Sequence, residues 1–174
     1  MLKRLKRSVI NRPTINLSVV LSTVLLTNAS TVFANEATED QHTPLLSENT
    51  QLTVYKTESC GCCNDWIKHM ENHGFEVTAH NRNDLSAIKQ AAGLTPKLAS
   101  CHTAFVGGYV IEGHVPAQDV IELLKQQPDM KGLTVPGMPA GANVPGMEVS
   151  DDNATFDVLG FRANGTVRRW NHYE

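Results

Sequence analysis

The sequence predicts an α/β fold: a central mixed sheet with flanking helices, followed by a methionine-containing loop and a β-hairpin. Three observations carry this expectation. β-rich runs alternate with stretches of helical period from Leu52 to Leu124, the pattern of a sheet with helices packed on it. Gly107-Gly108 and Asn164-Gly165 each lie between two β-rich runs, a two-residue hairpin signal. Val135-Pro136-Gly137-Met138 recurs nine residues later as Val144-Pro145-Gly146-Met147, inside a stretch without any period.

Residues 1–34 precede all of this and have the three parts of a secretory signal. Lys3, Arg4, Lys6, Arg7 and Arg12 form a basic front, Leu17 to Thr27 an apolar run, and Val32-Phe33-Ala34 a cleavage site of small residues. The apolar run is shorter than the roughly 20 residues a membrane span needs. No cysteine near Ala34 offers a lipid anchor. An exported protein without stable membrane insertion is therefore expected. The chain has 15 basic and 18 acidic side chains, and processing removes five of the basic ones, leaving 140 residues with a formal charge of −8. A domain so acidic has no electrostatic footprint for nucleic acid. Four cysteines are too few for a disulfide scaffold, and 140 residues suffice for one hydrophobic core.

Residues 35–50 are polar, acidic and aperiodic, and read as a flexible leader to a domain over 51–174. Leu52-Thr53-Val54-Tyr55 alternates as a first strand and runs into Cys60-Gly61-Cys62-Cys63. Cys63, Trp66, Ile67 and Met70 then share one helical face, and Gly74 ends the helix. Phe75, Val77 and Ala79 mark a second strand; Asp84 caps a helix bearing Leu85, Ile88 and Ala92. The Gly107-Gly108 hairpin follows, and Pro116 opens a helix with Ala117, Val120, Ile121 and Leu124 inward. Residues 128–150 read as a loop without secondary structure of its own, a length that in a compact domain is usually functional. Phe156 to Phe161 and Thr166 to Trp170 form the last hairpin, expected to hold the methionine loop against the domain.

The chemistry lies in the thiols. Cys60 and Cys63 have C-x-x-C spacing at a helix N-terminus, where orphan N–H groups and the helix dipole favour a thiolate. Alone, that pair predicts a thiol–disulfide oxidoreductase. Cys62 argues otherwise, because a third thiol invites the wrong disulfide, whereas a metal site gains a converging soft donor. Cys101 precedes the third strand, His102 comes directly after Cys101, and His114 ends the fourth strand; Met138 and Met147 sit in Pro-Gly turns. Thiolate, thioether and imidazole together select Cu(I); zinc has little use for thioethers, and an iron–sulfur cluster suits an exported protein poorly. The candidate metal ligands are Cys60, Cys62, Cys63, Cys101, His102, His114, Met138 and Met147. Cys60 and Cys63 are the candidate redox pair should the protein turn over a substrate, and a zinc-stabilised structural module is a third reading. Met70 reads as core, Trp66 as packing beneath the site, and His69, His73, His80 and His172 as surface histidines.

The stretches "YKTESCGCCNDW", "SCHTAFVGGYVIEGHVPA", "GLTVPGMPAGA", "VPGME" and "FDVLGFRANGT" resemble the CopG-type copper-resistance proteins. This is a periplasmic family long filed as a domain of unknown function, and it is unrelated to the repressors of the same name. The resemblance spans about residues 52–170. It implies a thioredoxin-like fold put to copper binding, with Cu(I) held as a thiolate-bridged cluster of several ions. It also implies a role in copper tolerance with a periplasmic copper-handling or efflux partner. The family's cysteine motif falls on Cys60, Cys62 and Cys63, its additional cysteine on Cys101, its GHVP histidine on His114, and its PGM methionines on Met138 and Met147. The cis-proline that precedes the third strand of ordinary thioredoxins has no counterpart in Ala99-Ser100-Cys101-His102.

Overall fold

The computed structural model describes residues 50–174; the expected signal peptide and most of the leader lie outside the described residues. Seven strands form one mixed sheet in the order β2-β1-β3-β4-β5-β6-β7. β1 (Thr50–Lys56) leads into α1 (Gly61–Asn72), which crosses to β2 (Phe75–Asn81), paired parallel to β1. α2 (Ser86–Ala91) precedes β3 (Thr103–Val106), which pairs antiparallel to β1 and, through the Gly107-Gly108 turn, to β4 (Tyr109–Glu112). α3 (Ala117–Gln126) then leads to β5 (Gly132–Thr134), parallel to β4. β6 (Phe156–Phe161) and β7 (Val167–Tyr173) complete the sheet as an antiparallel pair.

Alternation explains β1: Leu52 and Val54 are fully buried on one face. Cys63, Trp66 and Met70 are the buried stripe of α1, and Trp66 Nε1–H donates to Val115 O at 2.9 Å, tying the helix to the segment before α3. In α3 the buried face includes Leu123 rather than Leu124, which is only half-buried. Tyr173 OH and Asn171 Nδ2 donate to the two Asp119 oxygens at 2.6 and 3.0 Å, binding β7 to the first turn of α3.

One expectation needs correction. Residues 128–150 are not all loop, because β5 lies among them. All three of its residues are buried, so it shows no alternation, and it is too short for any periodic signal. Gly132 is obligatory there: a Cβ would stand 1.8 Å from Val110 O on the neighbouring strand. Through β5 the C-terminal hairpin extends the sheet, with Gly132 opposite Phe161. No helix among the described residues is long and apolar enough to cross a membrane.

Candidate metal centre

Three elements deliver the cluster. Cys60 is the N-cap of α1, and Cys62 and Cys63 sit in its first turn, where backbone N–H groups have no intrahelical partner. Cys101 and His102 lie on the segment entering β3, and His114 follows Gly113 (φ +73°) at the end of β4. The sulfur atoms of Cys60, Cys62, Cys63 and Cys101 all lie within 4.8 Å of one another. A second group, Cys101, His102 and His114, converges within the same limit. Cys101 belongs to both.

Cys60 and Cys63 are joined by a disulfide, while Cys62 and Cys101 are free thiols. Cys62 Sγ is 3.5 Å from Cys60 Sγ. The structure thus holds the oxidised form of the C-x-x-C pair, and four thiolates require its reduction by two electrons.

Cys101 Sγ lies 3.1 Å from His114 Nε2 and 3.3 Å from His102 Nδ1. His114 Nδ1 is 2.7 Å from Pro145 O. A carbonyl only accepts, so Nδ1 carries the proton and Nε2 presents a lone pair toward the sulfur, the orientation a metal-binding imidazole needs. His102 is fully buried, tilted on Trp66 at 4.3 Å between ring centroids and edge-on to His114 at 5.2 Å. Its Nε2 has no hydrogen-bond partner. Such an orphan is costly in a protein interior, and the ring meets Cys101 through its other nitrogen, Nδ1. Burial, then His114, Lys89 and Lys56, holds His102 well below its ordinary pKa, and burial lowers His114 as well. Both imidazoles are therefore neutral at pH 7, the form that ligates metals. Burial, with Cys62 beside it, pushes the Cys101 thiol up to about 11, so a metal must displace its proton.

The two Pro-Gly-Met turns reach the cluster by backbone. Gly137 forms a bridge with Ser100, accepts its hydroxyl and donates N–H to Ala99 O at 3.1 Å. Gly146 (φ +78°) presses on the first turn of α1, where a Cβ would stand 2.6 Å from Cys62 O and Trp66 N. The side chains differ: Met138 is 61% exposed beside the Cys101 segment, and Met147 is half-buried against the core.

Among the described residues, the other four histidines, His69, His73, His80 and His172, belong to neither group. His80 stacks on Tyr55, and His172 meets Asp157 at 2.6 Å on the surface. His73 Nδ1 donates to His69 O at 2.7 Å. His69, expected on the surface, is half-buried and its Nε2 accepts the Ala117 N–H at 3.1 Å, capping α3. Burial, then the neighbouring His73, lowers its pKa to about 4. Unfolded chains take up this proton below about 6.5, whereas the folded protein resists until about 4. Stability is therefore present above pH 6.5 and lost as pH falls toward 4. Melting temperatures of the reduced, metal-free protein should drop across that window, and His69→Gln should flatten part of the slope.

The chain is similar to known proteins in two comparisons. Residues 98–147, from before Cys101 to Met147, match a family described as "Protein of unknown function, DUF411". The solved structure "Copper resistance protein copG- Form 1" is 41% identical with a TM-score of 0.68, covering 72% of this chain and 98% of that one. "Copper resistance protein copG- Form 2" is also 41% identical, with a TM-score of 0.69, 73% of this chain and 100% of that one being covered. No curated protein matches. The segment that carries Cys101, His102, His114 and Met147 is the segment the family model spans, and the relatives are covered almost end to end. The chain belongs to the CopG-type copper-resistance family.

Proposed function

We propose that this protein is an exported, periplasmic copper-binding protein that takes Cu(I) as its cargo in copper tolerance. The carrying observation is that four sulfurs converge and that one of them, Cys101 Sγ, also meets two neutral imidazoles. Its thiolates would be Cys60, Cys62, Cys63 and Cys101, its imidazoles His114 and His102, and its thioethers Met147 and Met138. Soft sulfur donors prefer Cu(I) to the hard cations of the medium. Cys101 belongs to both donor groups, so its sulfur can bridge an ion held among the cysteines and one held by the histidines; this supports a thiolate-bridged multinuclear centre. The N-terminus of α1 offsets part of the thiolate charge. The frame is a thioredoxin-like one turned from disulfide exchange to metal holding, and the bound copper passes to a copper-handling or efflux protein of the same compartment.

One observation favours a second reading. The Cys60–Cys63 disulfide is the pair a thiol–disulfide oxidoreductase would use, taking two electrons and two protons to become two thiols. Metal analysis of protein reduced and purified anaerobically from copper-supplemented cells separates the two. The copper reading expects about one copper or more per chain with thiols protected from alkylation. Less than one copper, with all four thiols reacting freely, overturns it.

A further inference from the structure

Glu112 is fully buried at the end of β4, two residues before His114. One of its carboxylate oxygens accepts the Ser100 N–H at 2.6 Å and Lys89 Nζ at 2.5 Å; the other accepts the Thr103 hydroxyl at 2.7 Å. Lys89 closes the ring by donating to Thr103 Oγ1 at 3.1 Å. Ser100 and Thr103 bracket Cys101 and His102. The backbone repeats the staple, with Gly113 N–H donating to His102 O at 3.0 Å. The two segments touch so closely that a Cβ on Gly113 would stand 2.6 Å from both Ser100 Cβ and Val135 O.

A buried ion pair is a poor stabiliser, since apolar residues of similar volume often do as well. What this pair adds is orientation. Residues 99–102 have no regular helix or strand to hold them, yet Cys101 Sγ is held 3.1 Å from His114 Nε2. We propose that Glu112, seated by Lys89, is a positioning residue of the metal centre: it grips the Cys101–His102 arc and so sets the spacing between Cys101 and His114. The inference rests on the copper reading above. Partners of this kind outside the ligand set typically change metal affinity by about 10–100-fold when removed.

The test is Glu112→Gln, with Lys68→Ala on the solvent face as control. Two readouts are taken: the alkylation rate of Cys101 relative to Cys62 in reduced, copper-free protein, and Cu(I) affinity by competition with a chromophoric chelator. Glu112→Gln should raise the Cys101 to Cys62 ratio several-fold and weaken Cu(I) binding by about 10–100-fold, while Lys68→Ala changes neither. A folded Glu112→Gln protein with the wild-type ratio and affinity overturns the proposal. So does one whose melting temperature alone falls. Should Glu112→Gln fail to fold, Glu112→Gln/Lys89→Met removes both charges together, and Thr103→Val removes one donor and no charge; both are read the same way. If wild-type protein binds no copper, the copper reading fails, and the alkylation ratio still decides the role of Glu112.

Discussion

Cys101→Ser is expected to cut Cu(I) affinity by roughly three orders of magnitude, about 4 kcal/mol, while leaving the fold intact. Cys101 is the one residue shared by the four-sulfur group and the Cys101–His102–His114 group, so its loss removes a donor from both. Cys62→Ser removes a donor from the sulfur group alone and should leave part of the copper bound. Structural damage should be small, because the hydroxyl can still meet His114 Nε2, and Cys101 is only half-buried. Competition titrations and metal analysis on both variants measure the asymmetry. The oxidoreductase reading predicts the opposite ranking: Cys60→Ser abolishes disulfide reduction and Cys101→Ser barely affects it. Equal copper loading in wild type and Cys101→Ser would remove the reason for placing copper here.

The fold was legible where side chains repeat with a period. Leu52 and Val54 declare β1 by alternation, and Cys63, Trp66 and Met70 declare the inner face of α1. Gly107-Gly108 marks its turn because both glycines take positive φ. β5 was hidden because three wholly buried residues carry no period. The four cysteines could be joined in advance because the order of strands and helices brings the start of α1 beside the entry to β3. The methionines show where that kind of reading stops. Gly137 and Gly146 take nearly the same φ, +71° and +78°, yet Met138 faces solvent and Met147 faces the core. A local motif sets the backbone turn, and tertiary packing alone decides where the side chain goes. Glu112 was equally silent. An acid near a hairpin usually reads as solvent-exposed, and only the arrival of Lys89 and Ser100 from elsewhere in the chain makes it a buried clamp.

Oxidised protein should load well under half the copper of reduced protein, and reductant should restore the difference. With Cys60 and Cys63 in a disulfide, only Cys62 and Cys101 remain as thiols. Two of four sulfur donors then lack the thiolate charge that holds Cu(I). Alkylation followed by mass analysis should count two reactive thiols in the oxidised chain and four in the reduced one. Copper added to the reduced form should protect most of them. The two sulfurs of the disulfide are unequally placed: Cys63 is fully buried, and Cys60 is half-exposed at the helix N-terminus. An external thiolate therefore attacks Cys60 and releases the Cys63 thiolate, which the first turn of α1 stabilises. Of this pair, Cys63→Ser should leave Cys60 free to react, whereas Cys60→Ser should leave Cys63, which reagents reach slowly. Equal copper content in oxidised and reduced protein would mean that Cys60 and Cys63 serve as a structural or exchange disulfide and stand outside the metal centre. Copper content that follows the redox state of this pair would mean that the same two sulfurs are the protein's switch and part of its cage.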